Sequence, residues 1–346
     1  MGDWILHVDL DQFLAAVEIL RHPELAGRPV VVGGDGDPHR PRQVVATASY
    51  EARAFGVRSG MPLLTAWRRC PDAVFLPSDR PAYEAASARV MATLRSMPVV
   101  VEEWGWDEAF AAAETDEPEL LARTIQQRLV DETRLTCSVG IGETKLQAKT
   151  ATGFAKPGGV AMLTRATWID TMGHRPVAAL WGIGDRTARR LADLGITTVT
   201  ELACADHDEL SRRFGPAIGP HLKVLALGGD DAPVSADVYV ARSRSKEVTF
   251  EHDLDSPDVI RAHVARMARE VTEAVVADGR RVTHVAVKVR TSTFFTRSKI
   301  GKLPAPTVDP SEVARRALEV LDRFELNRPV RLLGARVVLE LPPPGS

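Results

Sequence analysis

An apolar run over residues 5–8 gives way to acids at Asp9 and Asp11, and from Phe13 onward the spacing turns helical, with Leu14, Val17 and Glu18 on successive turns. The pattern predicts a buried strand that hands over to a helix, with Asp9 and Asp11 on one face if the strand continues. Residues 27–34 read as a turn feeding a short strand, 35–42 as a loop rich in Gly, Pro and charge, and 44–47 as a partner strand. Residues 48–55 have helical character and put Tyr50 and Arg53 three apart on one face. Helical periodicity over 82–97, 119–133 and 145–154 alternates with strand patterns at 99–101 and 137–140. A second acid pair, Asp107-Glu108, falls within residues 103–110, far in sequence from the first. An α+β sheet with helices on one face fits this order.

From Trp168 the texture becomes helical. Gly182-Ile183-Gly184 opens a helix whose free N–H groups can receive a phosphate oxygen, a spacing similar to a helix-hairpin-helix clamp on a DNA backbone. A plain helix turn is the alternative reading. Residues 228–242, with Gly228-Gly229, Asp230-Asp231 and Pro233, read as a linker. A small α+β domain then follows: strands at 246–251, 282–291, 295–299 and 331–341, and helices at 258–277 and 311–324. Its strands carry Arg244, Lys246, Lys288, Arg290, Arg297 and Lys299. Lys288 and Arg290 alternate with Val287 and Val289, so one face of that strand is basic and the other apolar.

A chain of 346 residues exceeds one ordinary core and predicts two to four domains. The composition is that of a soluble globular protein, and no window approaches a membrane span; a cytoplasmic location is expected. Cys70, Cys137 and Cys204 are scattered, so neither a disulfide framework nor a zinc site is expected. The net charge of −2 argues against a nucleic-acid partner until the chain is divided. Residues 232–346 hold 19 Lys and Arg against 15 Asp and Glu, whereas residues 1–231 hold 25 against 31. An acidic part that could hold cations precedes a basic part that could follow phosphates.

Asp9, Asp107 and Glu108 offer three carboxylates from two strands. Alone, Asp9 or Asp11 could equally cap the following helix; the second acidic centre points instead to a divalent-cation site. Two Mg²⁺ about 3.5–4 Å apart can activate an attacking oxygen and stabilise a leaving group, and Mg²⁺ commonly combines a few carboxylates with phosphate oxygens and water. Asp9 and Asp107 are the expected bridging ligands, Glu108 completes one metal, and the Leu10 carbonyl could serve the other. Asp11 is read as structural. Tyr50, Arg53 and Lys156 are the candidate partners for an anionic leaving group.

Together these residues resemble a Y-family DNA polymerase of the DinB (polymerase IV) kind over essentially the full length. The matching stretches are His7-Val8-Asp9-Leu10-Asp11, Ala46-Thr47-Ala48-Ser49-Tyr50-Glu51-Ala52-Arg53, Asp107-Glu108-Ala109-Phe110, Ser138-Val139-Gly140-Ile141, Lys145 with Ala148-Lys149, Ala155-Lys156-Pro157-Gly158-Gly159, Gly182-Ile183-Gly184, and Arg244 with Thr249-Phe250. The resemblance implies a multidomain right hand: a palm over 1–20 and 78–165, fingers over 21–77, a thumb over 166–231, a linker over 232–242 and a little finger over 243–341. It implies template-directed nucleotide addition with low fidelity, lesion tolerance and no proofreading, with two Mg²⁺, or Mn²⁺ in substitution. Nucleotide contacts would be Phe13, Leu14, Thr47, Tyr50, Arg53 and Lys156. DNA contacts would be Gly182, Gly184, Arg244, Lys246, Arg290, Arg297 and Lys299. The implied partners are primer–template DNA and deoxynucleotides; a monomeric enzyme with no membrane partner is expected.

The chain departs from the family in four places. Gly105 stands where a serine is usual, with Trp104 and Trp106 crowding the strand; Glu143-Thr144 precedes Lys145 where an asparagine is frequent. The closing residues lack the Gln-led hydrophobic peptide that docks such enzymes on a sliding clamp, so C-terminal clamp binding is not expected. Leu14 stands where the family has Phe or Tyr, whose ring would lie beneath the sugar and collide with a 2′-hydroxyl. Ribonucleotide use is therefore expected. Two rival readings are a palm-fold nucleotide cyclase and a non-enzymatic DNA-binding relative.

Overall fold

The computed structural model describes residues 2–230, 232–237 and 239–341. The chain forms two compact units, Met1–Pro38 with Gln43–Asp237, and His39–Arg42 with Val238–Ser346. The first begins with β1 (Gly2–Leu10) and α1 (Phe13–Arg21), then β2 (Val30–Val32), β3 (Thr47–Ala48), α2 (Tyr50–Ala54), α3 (Leu63–Arg69) and β4 (Val74–Leu76). It continues through α4 (Arg80–Arg95), β5 (Val100–Glu103), β6 (Glu108–Thr115), α5 (Pro118–Thr133), β7 (Cys137–Gly142), α6 (Lys145–Ala155) and β8 (Val160–Leu163). Five helices close it: α7 (Arg165–Met172), α8 (Asp185–Ala192), α9 (Val199–Cys204), α10 (His207–Phe214) and α11 (Ile218–Ala226).

The central sheet has the order β5-β6-β1-β7-β8. Alternation along β1 sends Leu6, Val8 and Leu10 into a core shared with Phe13 and Val17 of α1, Met91 and Leu94 of α4, and Ile125 and Leu129 of α5. The odd residues face the other way, where α6 lies. This corrects the expectation of helices on one face. Gly140 is the reason: a Cβ there would stand 2.0 Å from the Ala148 carbonyl oxygen, so only glycine lets α6 approach β7 so closely.

The strand-to-helix handover is sharper than the sequence pattern implied. β1 ends at Leu10, and Gln12 adopts a left-handed conformation (φ 44°) that opens α1 with no side-chain cap. Neither Asp9 nor Asp11 caps the helix. A small sheet, β3-β2-β4, rests on its own core of Val31, Val45, Ala52 and Leu63. The helices after residue 165 pack around Trp168, whose indole N–H donates to the Ala226 carbonyl at 2.8 Å. Beyond α11 the Gly228 carbonyl accepts from Thr144 Oγ1 at 3.0 Å, and the Ser235 N–H donates to Glu102 Oε2 at 2.8 Å.

The second unit is an antiparallel sheet, β11-β10-β12-β9, with two helices. In chain order these are β9 (Ser243–Leu254), α12 (Pro257–Ala277), β10 (Val282–Thr291), β11 (Thr296–Thr307), α13 (Pro310–Leu321) and β12 (Val330–Leu339). Val285, Val287 and Val289 face the helices, in contact with Val264, Ala268 and Val313, as the β10 alternation predicts. The proline-rich end over residues 342–346, on which the clamp expectation rests, lies outside the described residues. Among the described residues no helix is long and apolar enough to cross a membrane.

Candidate active site

Antiparallel pairing of β1 with β6 sets Asp9 opposite Glu108, and the Leu10 N–H donates to the Asp107 carbonyl at 2.8 Å, extending the pairing past the strand end. Two segments a hundred residues apart thereby bring their acids to one end of the sheet. The tight turn before β6 is held by Trp104 and Gly105 N–H groups donating to the Glu108 carbonyl, both at 3.1 Å. Trp104 and Trp106 are each more than a third exposed in this turn, and the Trp104 ring meets Phe110 and Trp181 edge-on, with centroids 5.6 and 5.8 Å away.

Each acid has a cationic or imidazole neighbour. Lys156 Nζ lies 2.5 Å from Asp9 Oδ1, at the end of α6. Glu108 Oε2 accepts from Lys149 of α6 and lies 3.1 Å from His7 Nε2, while His7 Nδ1 lies 2.9 Å from Thr152 Oγ1. The hydrogen bond with His7, together with Lys149, pulls the Glu108 carboxyl down to about 2, whereas burial lowers the His7 imidazole. Asp107 is pushed up by burial and by the charges of Asp9 and Glu108. Asp107, whose proton affinity burial and its acidic neighbours raise, is the carboxyl that a divalent cation would relieve, and the oxygen donors beside it suit Mg²⁺ or Mn²⁺.

Among the described residues, the donor atoms that lie within 4.8 Å of one another belong to His7, Asp9 and Glu108. Asp107 is adjacent to that group without being part of it. His7 escaped the sequence reading as a site residue, although its position two before Asp9 places it on the same face of β1. Lys149 is brought to the site by α6, and its i, i+3 spacing to Thr152 is the signal the sequence offers for it.

Asp11 is 3% exposed and accepts from three elements. Tyr50 Oη and Ser138 Oγ donate to its Oδ1, both at 2.8 Å, and the Gly158 N–H donates to Oδ2 at 3.0 Å. The carboxylate ties α2, β7 and the loop that follows Lys156 into one arrangement. Burial and this hydrogen bond raise the Tyr50 hydroxyl above its ordinary range, so it stays a donor. Gln12 adds a second tie, its Oε1 accepting from the Tyr50 N–H at 2.5 Å.

The Arg53 guanidinium sits 5.1 Å above the Tyr50 ring, and its Nε donates to the Ala48 carbonyl at 2.9 Å. Thr47 is half-buried on β3. Phe13 and Leu14 part company: the Phe13 ring is 2% exposed within the core, while Leu14 is half-buried on the first turn of α1.

Gly182 has a φ of 95°, which a side chain would strain, and Gly184 caps the N-terminus of α8. The basic residues of the second unit divide between two faces. Arg244 and Lys246 turn toward α12, where Asp278 and Glu270 each hold one at 2.7 Å. Lys288 and Glu247 form an ion pair across Gly334 on the face away from the helices. Arg290 Nε donates to Thr296 Oγ1 at 2.8 Å; the Arg297 guanidinium lies 5.0 Å from the Phe295 ring, and Lys299 Nζ lies 5.0 Å from that of Phe324.

Residues 8–153 match the impB/mucB/samB family, and residues 241–338 match the impB/mucB/samB family C-terminal domain. The chain is 55% identical over 339 residues to "DNA polymerase IV 2" of Mycobacterium tuberculosis, covering 97% of this chain and 98% of that one. Among solved structures it resembles a Y-family DNA polymerase chimera of Dbh and Dpo4 (TM-score 0.84, 27% identity, 97% of this chain and 98% of that one). It also resembles an insertion ternary complex of Dbh DNA polymerase (TM-score 0.67, 26% identity, 98% and 99%). The chain belongs to the Y-family DNA polymerases, in the DinB or polymerase IV group. With that, the cyclase and non-enzymatic readings fall away, and the α+β multidomain expectation holds.

Proposed function

We propose that this chain adds nucleotides to a primer 3′-hydroxyl under template direction, with low fidelity, in translesion synthesis, and that it accepts ribonucleotides as well as deoxynucleotides. The observation that carries the reading is the Asp9–Glu108 register, which brings the carboxylates of two strands to one sheet end beside Lys156 and within reach of the α2 segment that bears Tyr50 and Arg53. Asp9, Asp107 and Glu108, with the Leu10 carbonyl, are assigned to two Mg²⁺, for which Mn²⁺ can substitute; the ions supply a lowered pKa at the attacking hydroxyl and charge neutralisation at the phosphates.

The chain's own groups do the rest. Arg53 can clamp a phosphate through its fork, Tyr50 donates a hydroxyl hydrogen bond, and Lys156 supplies a point charge, while Asp11 and Gln12 keep Tyr50 in place. The primer oxygen forms its bond to the α-phosphorus as the bond to pyrophosphate breaks. We assign residues 1–20 and 78–165 to the palm, 21–77 to the fingers, 166–231 to the thumb and 243–341 to the little finger. Nucleotide addition that needs both an annealed template and a divalent ion supports this reading, and addition indifferent to the template rejects it.

The same assignment gives the thumb glycines and the second unit the task of holding DNA by its backbone. Binding should weaken linearly in log–log terms as salt rises, each lost phosphate contact lowering the slope by about one. A chain ending at Asp237 should bind primer–template more weakly and with a shallower slope than the full chain. Equal affinity and equal slope for the two would remove the second unit from DNA binding.

A further inference from the structure

The turn between β10 and β11 presents two large apolar side chains to water, Phe294 at 64% and Phe295 at 55% exposure. Phe294 does so with φ at 62°, a left-handed conformation that glycine adopts freely and a bulky residue adopts at a cost. A β-turn whose only task was to reverse the chain would be better served by glycine or asparagine there. Instead the turn is braced on both sides. Arg290 Nε donates to Thr296 Oγ1 at 2.8 Å, Arg328 donates to Thr293 Oγ1 at 3.1 Å, and the Phe294 N–H donates to the Thr291 carbonyl at 2.9 Å.

Each ring also has its own cation. The Arg331 guanidinium lies 4.6 Å from the Phe294 centroid and that of Arg297 lies 5.0 Å from the Phe295 centroid. Beside Phe295 a groove of about 350 Å³ runs to Phe324, lined by Arg297, Lys299 and Arg328 with Glu325 as its one carboxylate. Rigidly held, solvent-facing rings interleaved with cations are the chemistry that receives an unpaired base on the ring and its phosphate on the cation. Duplex DNA keeps its base faces stacked inside and offers nothing to the rings. The unpaired part of a primer–template is the template strand ahead of the primer.

We propose that Phe294 and Phe295, with Arg297 and Arg331, form a stacking platform for unpaired template bases on the second unit. The proposal rests on the polymerase reading above but assigns these rings a ligand of their own. The platform is indifferent to base identity, because every base has a π-face.

The test uses the full chain and a fluorescein-labelled primer–template whose 5′ template tail is either base-bearing or made of abasic sites with the same phosphates. The natural chain should bind the base-bearing tail more tightly, by about tenfold for each ring engaged. Phe294→Ala combined with Phe295→Ala should erase that preference while leaving affinity for the abasic tail unchanged. Phe294→Gly should lose part of the preference with a melting temperature no lower than that of the natural chain, since glycine suits the backbone there; this separates lost stacking from lost folding. Equal binding of the two tails by the natural chain, a preference that survives in the double variant, or equal weakening of both tails overturns the proposal. Primer extension on the base-bearing substrate judges the polymerase reading separately: absent extension with an intact tail preference would sink that reading and leave the platform standing.

Discussion

Replacing Asp107 with alanine should abolish primer extension, by about a thousandfold or more, while primer–template affinity stays within a few-fold of the natural chain. The magnitude follows from charge: metal-held carboxylates are worth several kcal/mol of transition-state stabilisation, and each 1.4 kcal/mol is a factor of ten. The separation of the two effects follows from place. Asp107 sits in the turn before β6 with its carbonyl held by Leu10 N–H, so truncating its side chain leaves the β1–β6 pairing intact. Its carboxyl is also the member of the acid group whose proton affinity burial and its neighbours raise, which makes it the one most in need of a cation. Single-turnover extension and equilibrium binding on the same DNA read the two quantities. Near-normal turnover in Asp107→Ala would remove this residue from the chemistry.

On the proposed sugar tolerance, Leu14→Phe should make the enzyme discriminate, shifting the ratio of kcat/KM for matched deoxy- over ribonucleotide by more than the roughly hundredfold that apolar contact alone provides. Apolar contact alone rejects an added hydroxyl only weakly, so bulk has to carry the selection. The two neighbouring positions are not equivalent: Phe13 is committed to the core, and Leu14 is the partly exposed side chain on that turn. The left-handed Gln12 fixes this turn, and its side chain joins it to Tyr50. The change should fall on ribonucleotide use, with deoxynucleotide addition largely kept. Strong discrimination by the natural enzyme, or an unchanged ratio in the variant, would mean that Leu14 is not the gate.

Local pattern made much of this molecule legible in its sequence. The handover from β1 to α1, the long helices and the alternation along β10 all follow from periodicities of 2.0 and 3.6, which depend only on near neighbours. What stayed hidden depends on partners far along the chain. His7 and Lys149 meet at Glu108 only because Gly140 lets α6 lie against β7. Asp11 was read as structural, and its part as the meeting point of Tyr50, Ser138 and Gly158 needs three elements spread over nearly 150 residues. On β9, a count of basic residues could not say which face they occupy. The register turns Arg244 and Lys246 toward carboxylates of α12 and its end, whereas Glu247, paired with Gly334 of β12, meets Lys288 on the opposite face. Phe295 reads as the start of a strand and Phe294 falls between strands; the structure puts both in the turn, facing water.

The most direct test of the central claim is single-nucleotide incorporation by the natural chain on four primer–templates that differ only in the templating base, each offered every deoxynucleotide and ribonucleotide in turn with Mg²⁺. The expected result is that each template base selects its complement in both sugar series, that mismatches are added at readily measurable rates, and that the matched ribonucleotide is used at a rate comparable with the matched deoxynucleotide. Incorporation that ignores the template base, or none at all in either sugar series, would contradict it.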